Sequence, residues 1–422
     1  MIALIDCNSF FCSVEKVFHP GLEGKPMCVL SSNDGCIVAL TPEAKRLGLR
    51  RGDPIFKQRS IIDANHVTLF SGNMKLYSAM SKRIVSILRK SVLRVENYSI
   101  DESFCYLDGY ERLFNVEEFM REVAEKIRLY TDIPVSVGIA PTKTLAKMGS
   151  KFAKEYKGYR GVCLIDTEEK RRKALSLFAL SEVWGVGRHT LQKLNYYGIH
   201  TPLELADRSA SWVRARFNKP VYQTWMELNA IPCIDTSEVL QNQSICTSRS
   251  FGKMVSELSS LKSAVATFSS SCANKLRGQQ ACAGALTVFL HSNSFREDLA
   301  QYANASTYTF LTPTADTIEI TQAALRTLEE IYRPDILYKK AGVVLSRITP
   351  KNGIQGNLFD EITNRNERMK LMQAIDRINQ NYGPKTIQLA VEGQGRQDWN
   401  VKCDHCSPNY LTDLKDILTI QI

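Results

Sequence analysis

The fold is decided by the stretch VENYSIDESFCYLDG, residues 95–109. In it the adjacent carboxylates Asp101 and Glu102 lie between two short segments of strand-like composition. Successive side chains of an extended chain point to opposite faces, so both acids can face one ion only if the chain turns there. The stretch therefore predicts a tight β-hairpin whose apolar residues pack on a core and whose acids lie at its rim.

A third acid has a similar setting at the start of the chain. Residues 1–5 read as a buried strand that ends at Asp6. Three carboxylates brought together from two strand ends repel one another unless cations lie between them, and such oxygen ligands suit Mg²⁺ that bridges to substrate phosphates. An Asp-Glu pair alone is more often a solvated turn, so it is the third acid that favours a metal site.

Length and composition indicate a multidomain protein. A chain of 422 residues suggests two to four domains, and 44% hydrophobic with 23% charged residues is typical of a folded soluble protein. No segment approaches the roughly 20 apolar residues that span a bilayer, and the N-terminus lacks the pattern of a signal peptide. We therefore expect a cytoplasmic protein with no membrane partner.

The charge balance indicates the kind of partner that the protein binds, and the cysteines indicate the redox state of its compartment. Lys and Arg number 54 against 44 Asp and Glu, which favours a polyanionic partner. Charge alone does not separate nucleic acid from an anionic membrane surface. Twelve cysteines without a signal peptide predict reduced thiols, many of them in the core.

The order of predicted elements points to a known arrangement. Once a small basic insertion is left out, the pattern is strand, helix, paired strands, helix, strand, with the helices over 73–89 and 116–130 and the last strand over 134–140. This is the split βαβ, ferredoxin-like order, whose antiparallel sheet would place Asp6 beside the hairpin tip.

The rest of the chain predicts a helical region, a second α+β domain and a tail. A basic helix from Lys143 to Lys154 precedes a mainly helical stretch over 166–235, in which Gly185 and Gly187 form a Gly-x-Gly turn. Backbone N–H groups at such a turn can approach a phosphate, although a lone Gly-x-Gly is more often a plain helix-helix turn. Four strands and two helices then make the second domain (strands 245–251, 283–290, 306–311 and 340–348; helices 259–276 and 320–332). The tail has a helix over 364–379 and ends in 411–422, which reads as helix or strand.

Four motifs together resemble the Y-family translesion DNA polymerases. They are DCNSFF at 6–11, YSIDE at 98–102, GIAPTKTLAK at 138–147 and WGVG at 184–187. The likeness runs from Met1 to about Thr349, and the length, the Asn33-Asp34-Gly35 turn and the tail are most similar to the UmuC-type branch, the catalytic subunit of bacterial DNA polymerase V. The resemblance implies an α+β right hand with a ferredoxin-like palm (1–10 and 74–165), small fingers (11–73), a helical thumb with a helix-hairpin-helix (166–236), an α+β little finger (237–350) and a clamp- and partner-binding tail (351–422).

The resemblance also implies a catalytic site. Asp6, Asp101 and Glu102 match the acids that hold two Mg²⁺ ions, with the backbone carbonyl of Cys7 as a further ligand. Phe11 falls at the steric gate, the ring that excludes a 2′-hydroxyl. For the triphosphate, Lys45 matches a basic fingers residue and Lys154 a second one near the palm. One position departs from the family pattern, since Pro42 stands where many members have a phosphate-binding Tyr.

Further positions match the DNA- and partner-binding parts of the family. Gly185, Gly187 and Arg249 are expected to contact DNA, and Gln355, Leu358 and Phe359 resemble a peptide that binds the sliding clamp. The remaining tail resembles the region that engages a UmuD-like processed dimer, and a RecA-type filament is a further expected partner. Cys403 and Cys406 have the spacing of half a zinc site, but four ligands at suitable spacing are not evident.

The function implied is low-fidelity, template-directed DNA synthesis across lesions, from dNTPs on primer-template DNA, in the SOS response and at the nucleoid. Two alternatives stay open. A catalytically silent DNA-binding scaffold at stalled forks would not need the three intact acids, and a nucleotidyl cyclase would need neither the Gly-x-Gly turn nor a second basic domain.

Overall fold

The computed structural model describes residues 1–235, 242–354, 357, 362, 364–395 and 397–418. The chain forms two compact units, which are described separately. The first unit consists of Met1–Ser31, Gly35–Val239 and His405–Ile422, and the second of Ser32–Asp34 and Leu240–Asp404. Within the described ranges, no helix has the length and apolar character needed to cross a membrane.

In its described residues, the first unit contains eight strands and eleven α-helices. Its strands are β1 (Ile2–Cys7), β2 (Met27–Leu30), β3 (Ile37–Leu40), β4 (Thr68–Ser71), β5 (Arg94–Asn97), β6 (Glu102–Tyr106), β7 (Val135–Ala140) and β8 (Val162–Leu164). Its helices are α1 (Phe10–Phe18), α2 (Pro42–Arg46), α3 (Ile55–Ala64), α4 (Met74–Ser91), α5 (Val116–Thr131), α6 (Lys143–Glu155), α7 (Glu168–Leu177), α8 (Arg188–Tyr196), α9 (Pro202–Ala206), α10 (Ala210–Arg216) and α11 (Lys219–Leu228).

A five-stranded sheet in the order β5-β6-β1-β7-β8 is the centre of this unit. Strand β1 is antiparallel to both β6 and β7, and β8 extends the edge parallel to β7. With α4 between β1 and β5, and α5 between β6 and β7, the predicted ferredoxin-like arrangement is confirmed. Strand β5 pairs with β6 as a hairpin, which confirms the prediction for 95–109.

The side chains of β1 point alternately to the two faces of the sheet and pack into a separate core on each face. Ala3 and Ile5 pack with α4 and α5, whereas Ile2 and Leu4 pack with α6 and the helices that follow it. Period-2 alternation of this kind is expected where both faces of a strand are covered. The sheet is therefore buried on both faces along β1.

The basic insertion is a small substructure with its own core. Strand β2 lies between β3 and β4, antiparallel to the first and parallel to the second. A cluster that includes Cys28, Leu30 and Ile37 packs with Ala44 of α2 and Ile62 of α3. Thr41 caps α2 by accepting a hydrogen bond from the Ala44 N–H at 3.4 Å, and Pro42 occupies the first turn, where it needs no N–H partner.

The second unit has a four-stranded antiparallel sheet in the order β11-β10-β12-β9. Its elements are β9 (Ile245–Val255), α12 (Leu258–Gly278), β10 (Ala281–Ser292), β11 (Ala303–Thr314), α13 (Thr317–Ile331), β12 (Tyr338–Pro350) and α14 (Arg365–Tyr382). Residues of α12 and α13 share one buried cluster with the strands, and Trp399 from the tail belongs to it. Helix α14 is tied to this unit by ion pairs such as that of Arg277 with Asp376 at 2.6 Å.

Two expectations about the tail are wrong. A regular helix or strand was expected over 411–422, but the described part contains only a 3-10 turn at Leu414–Asp416, and 419–422 lie outside the described residues. Cys403 and Cys406 are disulfide-bonded, against the expectation of reduced thiols throughout. The two cysteines are separated by only two residues, so local chain geometry can bring their sulfurs within bonding distance.

Candidate active site

The three acids singled out in the sequence meet at one edge of the five-stranded sheet. Asp6 lies directly opposite Glu102 in the antiparallel register of β1 and β6. The Cys7 N–H donates to the carbonyl oxygen of Asp101 at 3.0 Å, which holds the hairpin turn against the end of β1. The register and this single backbone bond therefore gather all three carboxyl-bearing residues at one place.

Each carboxylate has a separate polar partner. Lys147 donates to Glu102 Oε1 at 2.6 Å, and Lys154 lies 3.4 Å from Asp6 Oδ2. The Ser99 hydroxyl donates to Asp101 Oδ1 at 2.6 Å and also accepts from the Glu102 N–H at 3.0 Å. Two lysine ammonium groups thus offset part of the charge of the three carboxylates, and the hydroxyl adds a neutral hydrogen bond to Asp101.

The surroundings of Asp6 disfavour the negative charge of its carboxylate. Burial is the main cause that raises the pKa of the Asp6 carboxyl, the charges of Glu102 and Asp101 raise it further, and Lys154 opposes them. Across the described ranges, no three His, Cys, Asp or Glu side chains are gathered closely enough to count as a ready-made metal site. Oxygen donors that are desolvated and mutually repelling are nevertheless the set that a divalent cation stabilises. The donor chemistry therefore fits such a cation.

Cys7 can contribute only through its backbone. Its side chain is buried, and burial together with the nearby charge of Asp6 raises the pKa of its thiol, which keeps the sulfur protonated. A protonated thiol is a poor metal ligand. That Cys7 would act through its backbone carbonyl remains a prediction.

Lys147 is a site residue that the sequence reasoning missed. Its ammonium lies 4.7 Å from the Tyr98 ring centroid and 5.4 Å from that of Trp184, and the two rings meet edge to face at 5.6 Å. Lys147 therefore connects Glu102 to the residue before Gly185. The spacing of lysines at 143, 147, 151 and 154 on one helix would have pointed to this face.

The proposed steric-gate residue is held by another ring. Phe11 is half-buried in α1, and its ring stacks on Tyr77 of α4 at 4.6 Å with an interplanar angle of 16°. Lys45, the other predicted nucleotide-binding residue of the insertion, is exposed in the last turn of α2. The structure brings Lys154 to the acids, whereas the roles of Phe11 and Lys45 remain predictions.

The predicted DNA-contact residues lie in both units. Gly185 has φ +93°, and a Cβ there would come within 2.2 Å of Thr224 Oγ1, so the turn requires glycine. Gly187 is the N-cap of α8, and the turn follows a 3-10 helix (Leu180–Glu182) where a full helix was expected. Arg249 is exposed on β9 of the second unit. Of the predicted clamp peptide, Gln355, Leu358 and Phe359 lie outside the described residues.

Solved structures identify the class of fold. A chimera of the Y-family DNA polymerases Dbh and Dpo4 superposes with a TM-score of 0.64 at 22% identity, covering 83% of this chain and 100% of that one. An insertion ternary complex of Dbh DNA polymerase gives a TM-score of 0.54 with the same identity and coverage. The predicted α+β right-hand fold of a Y-family polymerase is confirmed.

Sequence relatives identify the family. Profiles of the impB/mucB/samB family match residues 5–151, those of its C-terminal domain match 242–358, and a domain of unknown function matches 369–420. The UmuC protein of Salmonella typhimurium is 38% identical over 423 residues, covering 100% of both chains. The ImpB protein of the same species is 38% identical over 420 residues, covering 99% of each, and a DNA polymerase IV of Desulfatibacillum aliphaticivorans is 25% identical over 93% of this chain and 96% of its own.

The chain belongs to the impB/mucB/samB family of UmuC-type, Y-family polymerases. Its enzyme class is therefore that of a DNA-directed DNA polymerase of the translesion type, with a general dependence on divalent metal. The nucleotidyl cyclase alternative does not fit this family.

Proposed function

We propose that this chain performs low-fidelity, template-directed DNA synthesis across lesions in the SOS response, with two Mg²⁺ ions at Asp6, Asp101, Glu102 and the Cys7 carbonyl. The observation that carries the proposal is the register of β1 with β6, which sets Asp6 opposite Glu102 next to the hairpin turn at Asp101. Bound there, Mg²⁺ would lower the pKa of a primer 3′-hydroxyl and stabilise charge on the transferred phosphate.

The chain's own residues would bind and orient the reactants. Phe11 would exclude a ribose 2′-hydroxyl, because its stacking on Tyr77 fixes the ring plane. Lys45 and Lys154 would bind the triphosphate of the dNTP, and Lys154 would have to release Asp6 to do so. Since Pro42 stands where many family members have a phosphate-binding Tyr, either Lys45 would bind the triphosphate more strongly or a neighbouring residue would supply the missing contact.

The remaining residues would hold the nucleic acid and the partners. The Gly185-Val186-Gly187 turn and the first turn of α8 would approach a backbone phosphate, since the space beside Gly187 is open: an added Cβ would meet no atom within 4 Å. Arg249 would contact the duplex from the second unit. The clamp peptide, the UmuD-like processed dimer and the RecA-type filament would recruit the enzyme to damaged DNA in the cytoplasm, at the nucleoid.

Primer extension tests the proposal. The full-length protein is given Mg²⁺, dNTPs and a primer-template with an abasic site, with an undamaged template of the same sequence as the control, and each reaction is run with and without a UmuD-like dimer, clamp and RecA-type filament. We expect extension past the lesion when the partners are present. Tight DNA binding with no nucleotide addition on either template would instead support the silent scaffold.

A further inference from the structure

A buried acid lies behind the proposed steric gate. Glu15 of α1 is fully buried, and its Oε1 accepts hydrogen bonds from the Tyr77 hydroxyl at 2.7 Å and from the Ser407 hydroxyl at 2.9 Å. Its Oε2 is buried with no hydrogen-bond partner among the described residues. A buried carboxyl oxygen shared by two donors is costly to disturb, because losing one donor leaves charge or polarity uncompensated. Glu15 therefore fixes the positions of both hydroxyls.

Tyr77 transmits this constraint to Phe11. The Tyr77 side chain is fully buried in α4, and its ring stacks on Phe11 at 4.6 Å. A tyrosine ring whose hydroxyl is anchored and whose faces are packed has little freedom to rotate or slide. The Phe11 ring, which is only half-buried, takes its orientation from that surface.

Ser407 enters this network from the far end of the chain. It belongs to a segment that we call the C-terminal strap, residues 405–418, which lies within the first unit. Ser71 donates its N–H to the His405 carbonyl at 2.9 Å, and the Asn73 side chain donates to the Ser407 carbonyl at 3.0 Å. Because Asn73 also caps α4, the strap is fixed to the start of the helix that carries Tyr77.

A ring contact anchors the other part of the strap. Tyr410 stacks on Phe18 of α1 at 4.6 Å, and its hydroxyl lies 3.3 Å from His19 Nε2. The strap is therefore attached to both helices that form the gate, α1 and α4. It falls within residues 369–420, which match a domain of unknown function.

We infer that the C-terminal strap is a specificity-determining element, in which Ser407 positions the Phe11 ring through Glu15 and Tyr77. The inference rests on the proposed role of Phe11 as the sugar-selecting ring. It assigns to part of a domain of unknown function an effect on discrimination between deoxyribonucleotides and ribonucleotides. Ser407 touches neither reactant in this scheme and is a positioning residue.

The test compares ribonucleotide discrimination in four single variants of the full chain. The quantity measured is kcat/KM for a dNTP divided by kcat/KM for the matching rNTP, with primer-template DNA and the partner proteins held constant. S407A removes one donor to Glu15, Y77F removes the other but keeps the stacked ring, and F11A removes the gate itself. T412A is the matched control, because Thr412 is exposed in the same strap and, among the described residues, its backbone N–H is its one hydrogen-bonded group.

We expect S407A and Y77F each to lower the discrimination ratio by about three- to tenfold, with a larger loss in F11A and the wild-type ratio in T412A. In the double variant S407A/F11A, removal of the Ser407 hydroxyl should have no further effect, because the ring that it positions is gone. Thermal melting of each variant shows whether the strap remains folded.

Three results would overturn the inference. If F11A relaxes discrimination but S407A and Y77F both keep the wild-type ratio, Phe11 selects the sugar but the strap has no role in that selectivity. If F11A itself keeps the wild-type ratio, the proposed gate fails and the inference fails with it. If S407A lowers the ratio equally with and without Phe11, the strap acts through some other part of the site.

Discussion

At the scale of single residues, the ion pair between Lys147 and Glu102 neutralises part of the charge of the acid cluster. The exposed fractions of the two side chains are 18% and 23%, so water screens the pair only in part. Removing one member of such a pair leaves a partly buried charge without a partner, which costs more than the intact pair contributes. The structure therefore gives Lys147 a role in holding Glu102 when no cation does so.

Lys147→Met should lower the melting temperature in the absence of divalent metal, by an amount equivalent to about 1–3 kcal/mol. Added Mg²⁺ should restore more stability to this variant than it adds to the wild type, because an ion at Glu102 replaces the missing ammonium. Thermal melts with and without Mg²⁺ measure both effects. Lys151→Met is the control, since Lys151 pairs with Glu155 and Glu182 instead. Equal Mg²⁺ responses in wild type and Lys147→Met would count against this role.

Glu15 gives a second residue-scale prediction, for stability against pH. Burial raises the pKa of its carboxyl, while hydrogen bonds from Tyr77 and Ser407 and the charge of His19 partly offset that rise. A carboxyl with a raised pKa in the folded state supports folding below its unfolded pKa, and this support is lost as the pH rises through the folded value. Glu15→Gln lacks this titration.

The melting temperature of Glu15→Gln minus that of the wild type should therefore increase as the pH is raised from the ordinary glutamate pKa through the neutral range. The prediction concerns the change of this difference with pH and not its sign at low pH. The glutamine side chain also places an NH₂ group at the position of Glu15 Oε2, which is buried with no hydrogen-bond partner in the described structure. A difference that stays constant over this range would mean that Glu15 is ionised in the folded state with no penalty.

Helix α6 shows how an element places active-site charges. Gly138 of β7 and Gly149 of α6 meet at the crossing, where a Cβ on Gly138 would lie 2.0 Å from the Ala146 carbonyl oxygen and 2.1 Å from the Ser150 nitrogen. Backbone atoms cannot yield as side chains do, so the helix can lie this close to the sheet only with glycine there. This contact brings Lys147 and Lys154 to the acids.

Gly138→Ala should destabilise the protein by about 1–3 kcal/mol, because the helix must move away from the sheet. It should also reduce polymerase activity in the fraction that remains folded, since Lys147 and Lys154 move with α6. Denaturant unfolding and primer extension measure the two effects. Gly158→Ala is the control, because a Cβ at that position meets no atom within 4 Å. Equal stability of the two variants would show that the crossing tolerates a methyl group.

The sequence predicted those elements whose signals are local. Alternation and the acidic pair predicted the β5-β6 hairpin, and helical spacing predicted α4, α5 and α6 within a few residues. The strap could not be predicted in the same way, because Ser407 and Glu15 are 392 positions apart and the strap has no periodic pattern. In the sequence, Glu15 and Tyr77 are typical residues of amphipathic helices. Only the fold shows that the Glu15 carboxyl group meets the Tyr77 hydroxyl.

At the scale of the whole molecule, the chain combines a catalytic unit with sequences expected to recruit partners. Leu358→Ala together with Phe359→Ala should abolish stimulation by the sliding clamp and leave distributive synthesis intact, because an apolar pair within a polar stretch of sequence suits an apolar groove. Primer extension with and without clamp measures this. Stimulation that persists in the double variant would mean that the clamp binds elsewhere.

The acid cluster at the edge of the five-stranded sheet is the centre of the account, and Asp101→Asn tests it most directly. The measurement is single-nucleotide incorporation opposite an abasic site with Mg²⁺, together with DNA affinity, and Asp108→Asn is the control because Asp108 lies beyond β6 with a side chain that is 74% exposed. We predict that Asp101→Asn lowers kcat by at least about 100-fold while DNA affinity stays within about twofold, and that Asp108→Asn keeps the wild-type rate. Incorporation by Asp101→Asn at the wild-type rate would contradict the assignment of these carboxylates as the metal-binding catalytic site.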